Sequence, residues 1–327
     1  MTLLLREEDV RAVLGIRDAI PLMEEALRAF STKSAVQPLR AVVPVAAAGG
    51  FLGAMPAFLS TPAALGAKLV TFFPRNEATG LPTHLAVVLV FEADSGRLEA
   101  ILDGRWITEA RTAAVSAAAT KALARPGARS LAILGSGVQA GSHVEAMTLV
   151  RPIERVRVWS RTPENARRFA ETWGRRLHLR VDAVPSAREA VEGADLVVTA
   201  TSAREPVLRG EWLAPGAHVN GVGACRPDWR ELDTAAVARA RLYVDSRDAA
   251  LVESGDLLLP IREGAIADTH VVAELGSVLA GRAPGRGTEE EVTVFKSLGL
   301  AVEDVAAARF VVDRAVAGGL GERIAFP

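Results

Sequence analysis

SLAILGSGVQAGSHVEAMTLV, residues 130–150, decides the fold. A short apolar run, Leu131 to Leu134, meets Gly135-Ser136-Gly137 and then a stretch of helical composition from Val138 to Val150. In a strand that ends in a glycine turn and opens directly into a helix, a GxGxxA pattern, here Gly135 to Ala140, has a mechanical meaning. Gly135 permits the tight turn, Gly137 lets the backbone approach a pyrophosphate, and Ala140 lets helix and strand pack closely. Phosphate oxygens would sit at the helix N-terminus, where backbone N–H groups and the helix dipole favour an anion. A tight turn without a ligand is the plainer alternative; motif and context together favour the nucleotide site.

The same alternation continues downstream. VRVWSRT (156–162) reads as a second strand and PENARRFAETWG as its helix. LRVDAV, SAREAVEG and ADLVVTATS continue as strand, helix and strand, and AHVNGVGA (217–224) and RLYVDS (241–246) add further strands. Residues 118–298 are thus expected to form a parallel sheet with helices on both faces, a Rossmann-type α/β domain. An NAD-preferring site carries an acid near the end of the second strand to hold the ribose 2′-OH. Here that end is Val158-Trp159-Ser160-Arg161-Thr162, with two hydroxyls, a guanidinium and no carboxylate. The set suits a 2′-phosphate, so NADP(H) is preferred and NAD(H) is kept as the alternative.

Upstream the character differs. Residues 6–30 carry apolar side chains at helical spacing, with Asp18 as a cap and Pro21 near the first turn of PLMEEALRAF. Residues 39–46, 50–59, 65–73, 84–91 and 98–104 read as strands, the last two joined by the turn Ala93-Asp94-Ser95-Gly96. EARTAAVSAAATKALA (109–124) and the tail 297–316 read as helices.

Bulk properties narrow the class. A chain of 327 residues suggests two domains, and a 50% hydrophobic content provides a large core. A net charge of −1 gives no reason to expect a nucleic acid or an anionic membrane as partner. The single cysteine, Cys225, cannot form an internal disulfide. Charged residues follow the first leucines at once, and no apolar window is long enough for a span, so a cytoplasmic protein is expected. His143, His178, His218 and His270 show no ligand spacing, and no metal is expected.

Three basic residues stand out upstream: Arg40 and Lys68 in expected strands, and Arg111 near the start of a helix. A strand cation that faces inward needs an anionic partner. Together the three would hold a carboxylate, Arg by its fork and Lys as a point charge; singly, each reads as a surface charge. Phe72, Phe73 and His84 are candidates for a side-chain pocket, and Glu253 and Asp256 lie either near a cleft or at a helix terminus.

These residues resemble the ornithine cyclodeaminase/mu-crystallin family over nearly the whole chain. The likeness is carried by GFLGAMPAF (50–58), KLVTFFP (68–74), DGRWITEARTAAVSAAAT (103–120), LGSGVQA (134–140), VWSRTPENA (158–166), GACRPDWRELD (223–233), YVDSRDAALVESGDLL (243–258) and TVFKSLGLAVEDVAAA (293–308). It implies a substrate-binding and dimerisation domain of α+β type built from both chain ends, residues 1–117 with 299–327, and a homodimer. It implies that Arg40, Lys68 and Arg111 hold the substrate carboxylate. The cofactor would lie against Thr112, Gly135, Ser136, Gly137, Val138 and Gln139, with Ser160, Arg161 and Thr162 at the 2′-phosphate. Thr199, Ala200, Thr201, Ser202, Val222, Gly223, Ser297 and Leu298 would lie near ribose and nicotinamide. Phe73, His84 and Cys225 are expected at the substrate, and Lys68 and Glu253 are the expected catalytic groups.

Two departures from the cyclodeaminase branch set the expected reaction. The branch's acid two residues after the glycine matching Gly223 is replaced by Cys225, and its acid two residues before Met-Pro is replaced by Gly53. The likeness is closest to the mu-crystallin branch. It implies an NADPH-dependent reductase of small imino acids, such as Δ1-pyrroline-2-carboxylate or Δ1-piperideine-2-carboxylate. An ornithine cyclodeaminase, an alanine-dehydrogenase-like enzyme and a non-catalytic NADPH-dependent ligand binder are the alternatives. Cys225 is expected to be a pocket wall.

Overall fold

In the computed structural model, which describes residues 1–326, the chain divides into two compact units: Met1–Arg111 with Gly299–Pro327, and Thr112–Leu298. The first boundary falls between Arg111 and Thr112, not after residue 117, and lies inside one continuous helix where no sequence signal marks a break.

The first unit begins with Thr2–Leu5 (β1), Glu7–Val13 (α1) and Ile16–Ser31 (α2). Ala35–Val36 (β2), Ala41–Val45 (β3), Gly50–Ser60 (β4), Ala63–Phe72 (β5), His84–Phe91 (β6) and Leu98–Asp103 (β7) follow, and Arg105–Leu123 (α3) leads out. The second unit runs through Ser130–Leu134 (β8), Val138–Val150 (α4), Arg155–Trp159 (β9), Pro163–Leu177 (α5), Arg180–Ala183 (β10), Ala187–Val191 (α6), Leu196–Thr199 (β11) and His218–Gly221 (β12). It continues with Thr234–Ala238 (α7), Arg241–Val244 (β13), Arg247–Glu253 (α8), Gly255–Arg262 (α9), Val271–Glu274 (β14), Leu275–Leu279 (α10) and Thr293–Lys296 (β15). Ala301–Gly318 (α11) and Glu322–Ile324 (β16) return to the first unit.

Several local expectations change. The helix expected over 6–30 is broken at Leu14 and Gly15. Asp18 is therefore not the cap residue: it sits one turn in and accepts a hydrogen bond from the Gly15 N–H at 3.3 Å. Pro21 lies inside α2 rather than in its first turn. The backbone is extended at Leu14 and Gly15, and the side chains on both sides of the break, Leu14 and Ile16, are buried. The tail helix starts at Ala301, not 297, because Gly299 turns the chain with φ +82°. The second strand of the nucleotide unit ends at Trp159, which leaves Ser160, Arg161 and Thr162 in the loop before α5.

In the first unit, β4, β5, β6 and β7 form an antiparallel meander, extended by β1 parallel to β7 and by β16 antiparallel to β1. The register places Met55, Lys68, Val88 and Leu102 in one cross-strand row, all buried. Directly opposed residues share a face, so Lys68 points into the core side. Helix α11 covers that side, packed on α2 and across β4, β5 and β6, with Val305 over Gly66. A row on the other face, Val43, Leu52, Thr71 and Leu85, is apolar but for one hydroxyl, and its three hydrophobic members are exposed.

The second unit has an all-parallel sheet in the order β10-β9-β8-β11-β12-β15-β13-β14. Residues of β11, β12 and β15 are buried throughout, as required when helices cover both faces. The order 3-2-1-4-5 of a doubly wound fold is preserved in its first five strands, and β15 takes the sixth place ahead of β13. Strand order reverses between β8 and β11, and the crevice at their carboxyl ends is where such sheets bind ligands.

Candidate active site: a carboxylate clamp and a dinucleotide cradle

The first unit brings Arg40, Lys68 and Arg111 together. Lys68, 2% exposed, lies with its Nζ 2.6 Å from Asp304 Oδ2. Arg111, 6% exposed, donates through Nε to Asp304 Oδ1 at 3.0 Å and through Nη1 to Glu303 Oε2 at 2.8 Å. Arg40 donates to the Gly299 carbonyl at 3.0 Å. Gly299 cannot carry a side chain: a Cβ would stand 2.5 Å from Arg111 Nη1, and its φ is positive. The first turn of α11 is held in turn by the Gln37 side chain, which accepts from the Val302 N–H at 2.9 Å.

Burial lowers the Lys68 pKa to about 8; Asp304 opposes the fall, and the charges of Arg111 and Arg40 add to it. His84 opens β6 next to Phe72, with ring centroids 4.6 Å apart, and Phe51 lies 5.6 Å from Phe72. His84 keeps an exposed surface, yet the protein around it, and secondarily the Lys68 charge, lower its imidazole pKa. Phe73 is half-buried and closes over Gly50, where a Cβ would meet its ring at 2.6 Å. Three basic side chains thus meet here, flanked by an aromatic row on the same sheet face as Lys68.

In the second unit, Gly135 turns with φ +119°, and a Cβ there would lie 2.4 Å from the Ala200 carbonyl. The turn after β8 therefore touches the loop after β11, at the point where strand order reverses. Gly137 caps α4 with no side-chain hydrogen bond, and it and Val138 are exposed. Ser136 donates to Ser160 at 2.9 Å, which joins the glycine turn to the loop that carries Arg161 and Thr162, both exposed. A pyrophosphate fits this cradle, since the backbone is open at Gly137 and the helix end is uncapped by side chains. The region after β9 holds hydroxyls and a guanidinium and no carboxylate.

Beside it, Glu231 organises the loops after β11 and β12. This fully buried carboxylate accepts from Thr199 Oγ1 at 2.8 Å, Thr201 N–H at 2.6 Å, Thr201 Oγ1 at 2.7 Å and Gly223 N–H at 2.7 Å. Burial raises its pKa, with Asp256 adding to the rise and Lys296 opposing it. Asp256 accepts from the Glu231 and Leu232 N–H groups at 2.7 and 3.0 Å and pairs with Lys296 at 3.0 Å. Val222 donates to the Thr199 carbonyl at 2.9 Å. Ser297 donates to the Gly221 carbonyl at 3.0 Å, and Leu298 to Asp245 Oδ2 at 2.6 Å. Thr199, Ala200, Thr201, Val222, Gly223, Ser297 and Leu298 are thereby tied into one framework of backbone and buried acids, with exposed Ser202 at its edge.

The remaining candidates fall in place singly. Thr112 is buried at the start of the second unit, and Gln139 sits half-buried in the first turn of α4. Cys225 is half-buried and packs against the apolar core of the second unit. Glu253 is the last residue of α8, half-buried. His143 is buried, its Nε2 2.9 Å from Ser116 Oγ, and burial lowers its pKa to about 4. Among the described residues no cluster of His, Cys, Asp or Glu has metal-binding geometry, and no helix is long and apolar enough to cross a membrane.

Sequence reasoning missed Glu303, Asp304, Gln37, Glu231 and Asp245. The available signal was weak: adjacent acids in the otherwise alanine- and valine-rich start of α11.

The Lys68 amine loses its charge as pH rises through about 8, so affinity for a small carboxylate should hold below that pH and fall above it. Calorimetric titration from pH 6 to 10 checks this (roughly two units on either side of the midpoint). For Glu231→Gln, the amide nitrogen must face donors that now meet a carboxylate oxygen. The variant should lose about 2–3 kcal/mol of stability, read as a fall in thermal midpoint.

The whole chain is similar to known proteins. The family model described as the ornithine cyclodeaminase/mu-crystallin family matches residues 1–319. The chain is 51% identical over 297 residues to ketimine reductase mu-crystallin of Mus musculus, covering 90% of this chain and 91% of that one. It is 38% identical over 325 residues to a Δ1-pyrroline-2-carboxylate reductase of Bacillus cereus, covering 99% and 100%. Among solved structures, the Thermococcus litoralis Δ1-pyrroline-2-carboxylate reductase in complex with NADH and L-proline superposes with a TM-score of 0.97 at 39% identity, covering 99% of this chain and 100% of that one. The iminosuccinate reductase of Paracoccus denitrificans in complex with NAD+ gives 0.92 at 30% identity, covering 99% of each. The chain belongs to the ornithine cyclodeaminase/mu-crystallin family.

Proposed function

We propose that this protein is an NADPH-dependent reductase of small cyclic imino acids such as Δ1-pyrroline-2-carboxylate and Δ1-piperideine-2-carboxylate. The carrying observation is the buried pair Lys68 and Arg111, held by Asp304 and Glu303, with half-buried Arg40 beside them at the Gly299 carbonyl. Two guanidinium groups and an ammonium converge there, donors of the kind that hold a carboxylate. Relatives that reduce ketimines and Δ1-pyrroline-2-carboxylate support the reaction type.

In this reading the clamp fixes the substrate carboxylate and so orients its C=N carbon; most of the rate gain is orientation. The nicotinamide cofactor supplies the hydride when bound in the cradle of the second unit. Gly135, Ser136, Gly137, Val138 and Gln139 would hold its pyrophosphate, and Ser160, Arg161 and Thr162 its 2′-phosphate. Thr112, Thr199, Ala200, Thr201, Ser202, Val222, Gly223, Ser297 and Leu298 would line its ribose and nicotinamide. Lys68 holds a proton close to the carboxylate, and Glu253 would offset the charge of a protonated imine. Phe73, His84 and Cys225 would shape the substrate side.

Gly53 argues against cyclodeaminase chemistry. A Cβ there would already meet Val70 Cγ1 at 3.3 Å, so an acid long enough to hold a side-chain amine would need the neighbouring strand residue to move. A cytoplasmic homodimer completes the proposal. The exposed apolar row of Val43, Leu52 and Leu85 supports the dimer, since such a surface is costly to leave in water.

Purified protein should consume NADPH with either cyclic imino acid and no added ammonia. Turnover only with a keto acid plus ammonia would instead identify an amino acid dehydrogenase. Arg161→Ala should raise the KM for NADPH about tenfold or more and leave that for NADH nearly unchanged. An equal loss with both cofactors would remove the 2′-phosphate assignment.

A further inference from the structure

Glu231 lies outside every strand and helix, on the segment between β12 and α7, yet it has no exposed surface. Its two oxygens reach two loops. Oε1 accepts from the Thr201 N–H and hydroxyl at 2.6 and 2.7 Å, and Oε2 from the Thr199 hydroxyl at 2.8 Å and the Gly223 N–H at 2.7 Å. The loops meet closely at this point: a Cβ on Gly223 would stand 2.0 Å from the Thr201 carbonyl and 2.6 Å from Glu231 Oε1. Ala200, between the two threonines, sets its carbonyl against the Gly135 turn, where a Cβ would lie 2.4 Å away. The glutamate is itself supported from α9. Asp256 Oδ1 accepts from the Glu231 and Leu232 N–H groups, and a Cβ on Gly255 would stand 2.0 Å from the Trp229 carbonyl, so the segment that carries Glu231 rests directly on the start of that helix.

We propose that Glu231 is a positioning residue of the dinucleotide cradle: its carboxylate fixes the loops after β11 and β12 against the Gly135 turn, and so sets the affinity for nicotinamide dinucleotides through those loops rather than on the ligand. This rests on the reading of the second unit as a dinucleotide cradle. Charge and position pull in opposite directions here. By its charge alone, an acid in this unit opposes a pyrophosphate. By its position it favours one, because loops already in place lose less freedom on binding. Four donors engage the carboxylate and the Lys296 charge opposes its own, so position prevails. In Glu231→Gln one oxygen becomes an NH2. Hydroxyls can turn to accept from it, but backbone N–H groups cannot. Whichever way the amide turns, the NH2 faces the N–H of Thr201 or of Gly223, and the loop that carries it must move.

The test titrates NADH and NADPH into the purified chain and reads binding from the fluorescence of the reduced nicotinamide. Asp195→Asn is the control, because Asp195 does similar work at the other end of the same strands. Half-buried before β11, it accepts from the Arg129 and Ser130 N–H groups at 2.9 and 3.0 Å and from the Ser130 hydroxyl at 2.8 Å, and so joins the amino ends of β8 and β11. Both variants should lower the thermal midpoint. Glu231→Gln should raise the Kd for NADH and NADPH alike by about tenfold or more. Asp195→Asn should leave both within about twofold. An unchanged or lowered Kd in Glu231→Gln overturns the proposal, the second by showing that charge outweighs position. A rise of equal size in Asp195→Asn overturns it too, as a general loosening of the unit, and so does a rise for NADPH alone. If Glu231→Gln does not fold, Glu231→Asp takes its place: it keeps the charge, is one methylene too short to reach both loops, and should raise both Kd values in the same way. If the wild type binds neither dinucleotide, the cradle reading falls and the proposal with it. If the wild type binds and Glu231→Gln binds equally well, the proposal falls alone.

Discussion

A buried ammonium in the middle of a sheet is the constraint from which the first unit follows. Lys68 stands in a cross-strand row with Met55, Val88 and Leu102, a place where a charge without a partner would cost several kcal/mol. The partner comes from the far end of the chain, in the first turn of α11. That requirement accounts for the return of the C-terminal segment to the first unit, for the tight turn at Gly299, and for the Gln37 side chain that steadies the helix start. Packing alone would accept an apolar residue at position 68.

The second unit solves a different problem, how to hold several loops still at the mouth of a parallel sheet. Side chains there are small and the backbone runs close, as at Gly135 against Ala200. Rigidity comes from buried acids that accept backbone N–H groups: Glu231 across the loops after β11 and β12, Asp256 under Glu231, and Asp245 at Leu298. These carboxylates do for loops what ladder hydrogen bonds do for strands. Lys296 and the hydroxyls of Thr199 and Thr201 supply part of the compensation for burying them.

Legibility in the sequence followed the range of the interactions. The glycine turn was readable because each position in GSGVQA has a role set by its immediate neighbours. The strand alternation in residues 50–104 was readable because one face is buried and a period of two shows it. The break at Gly15 was not, since the apolar spacing continues across it through the buried Leu14 and Ile16. Glu303, Asp304 and Glu231 were not, because a buried acid announces itself only through partners distant in the chain. Arg40, Lys68 and Arg111 were found as a set through family likeness; taken singly, each looked like an ordinary surface charge.

The place of β15 has a consequence for how the protein is made. This strand sits between β12 and β13, although it follows both in the chain. During synthesis β12 and β13 emerge first, and the seat between them stays vacant until Thr293–Lys296 leave the ribosome. The first unit waits longer still, for Asp304. A nascent chain that has not yet reached Thr293 and Asp304 thus carries an unfilled sheet and a lysine without its acid, so a product cut short before them has neither unit complete. The last strand of the second sheet and the acid that meets Lys68 arrive in close succession, on one short stretch of the chain.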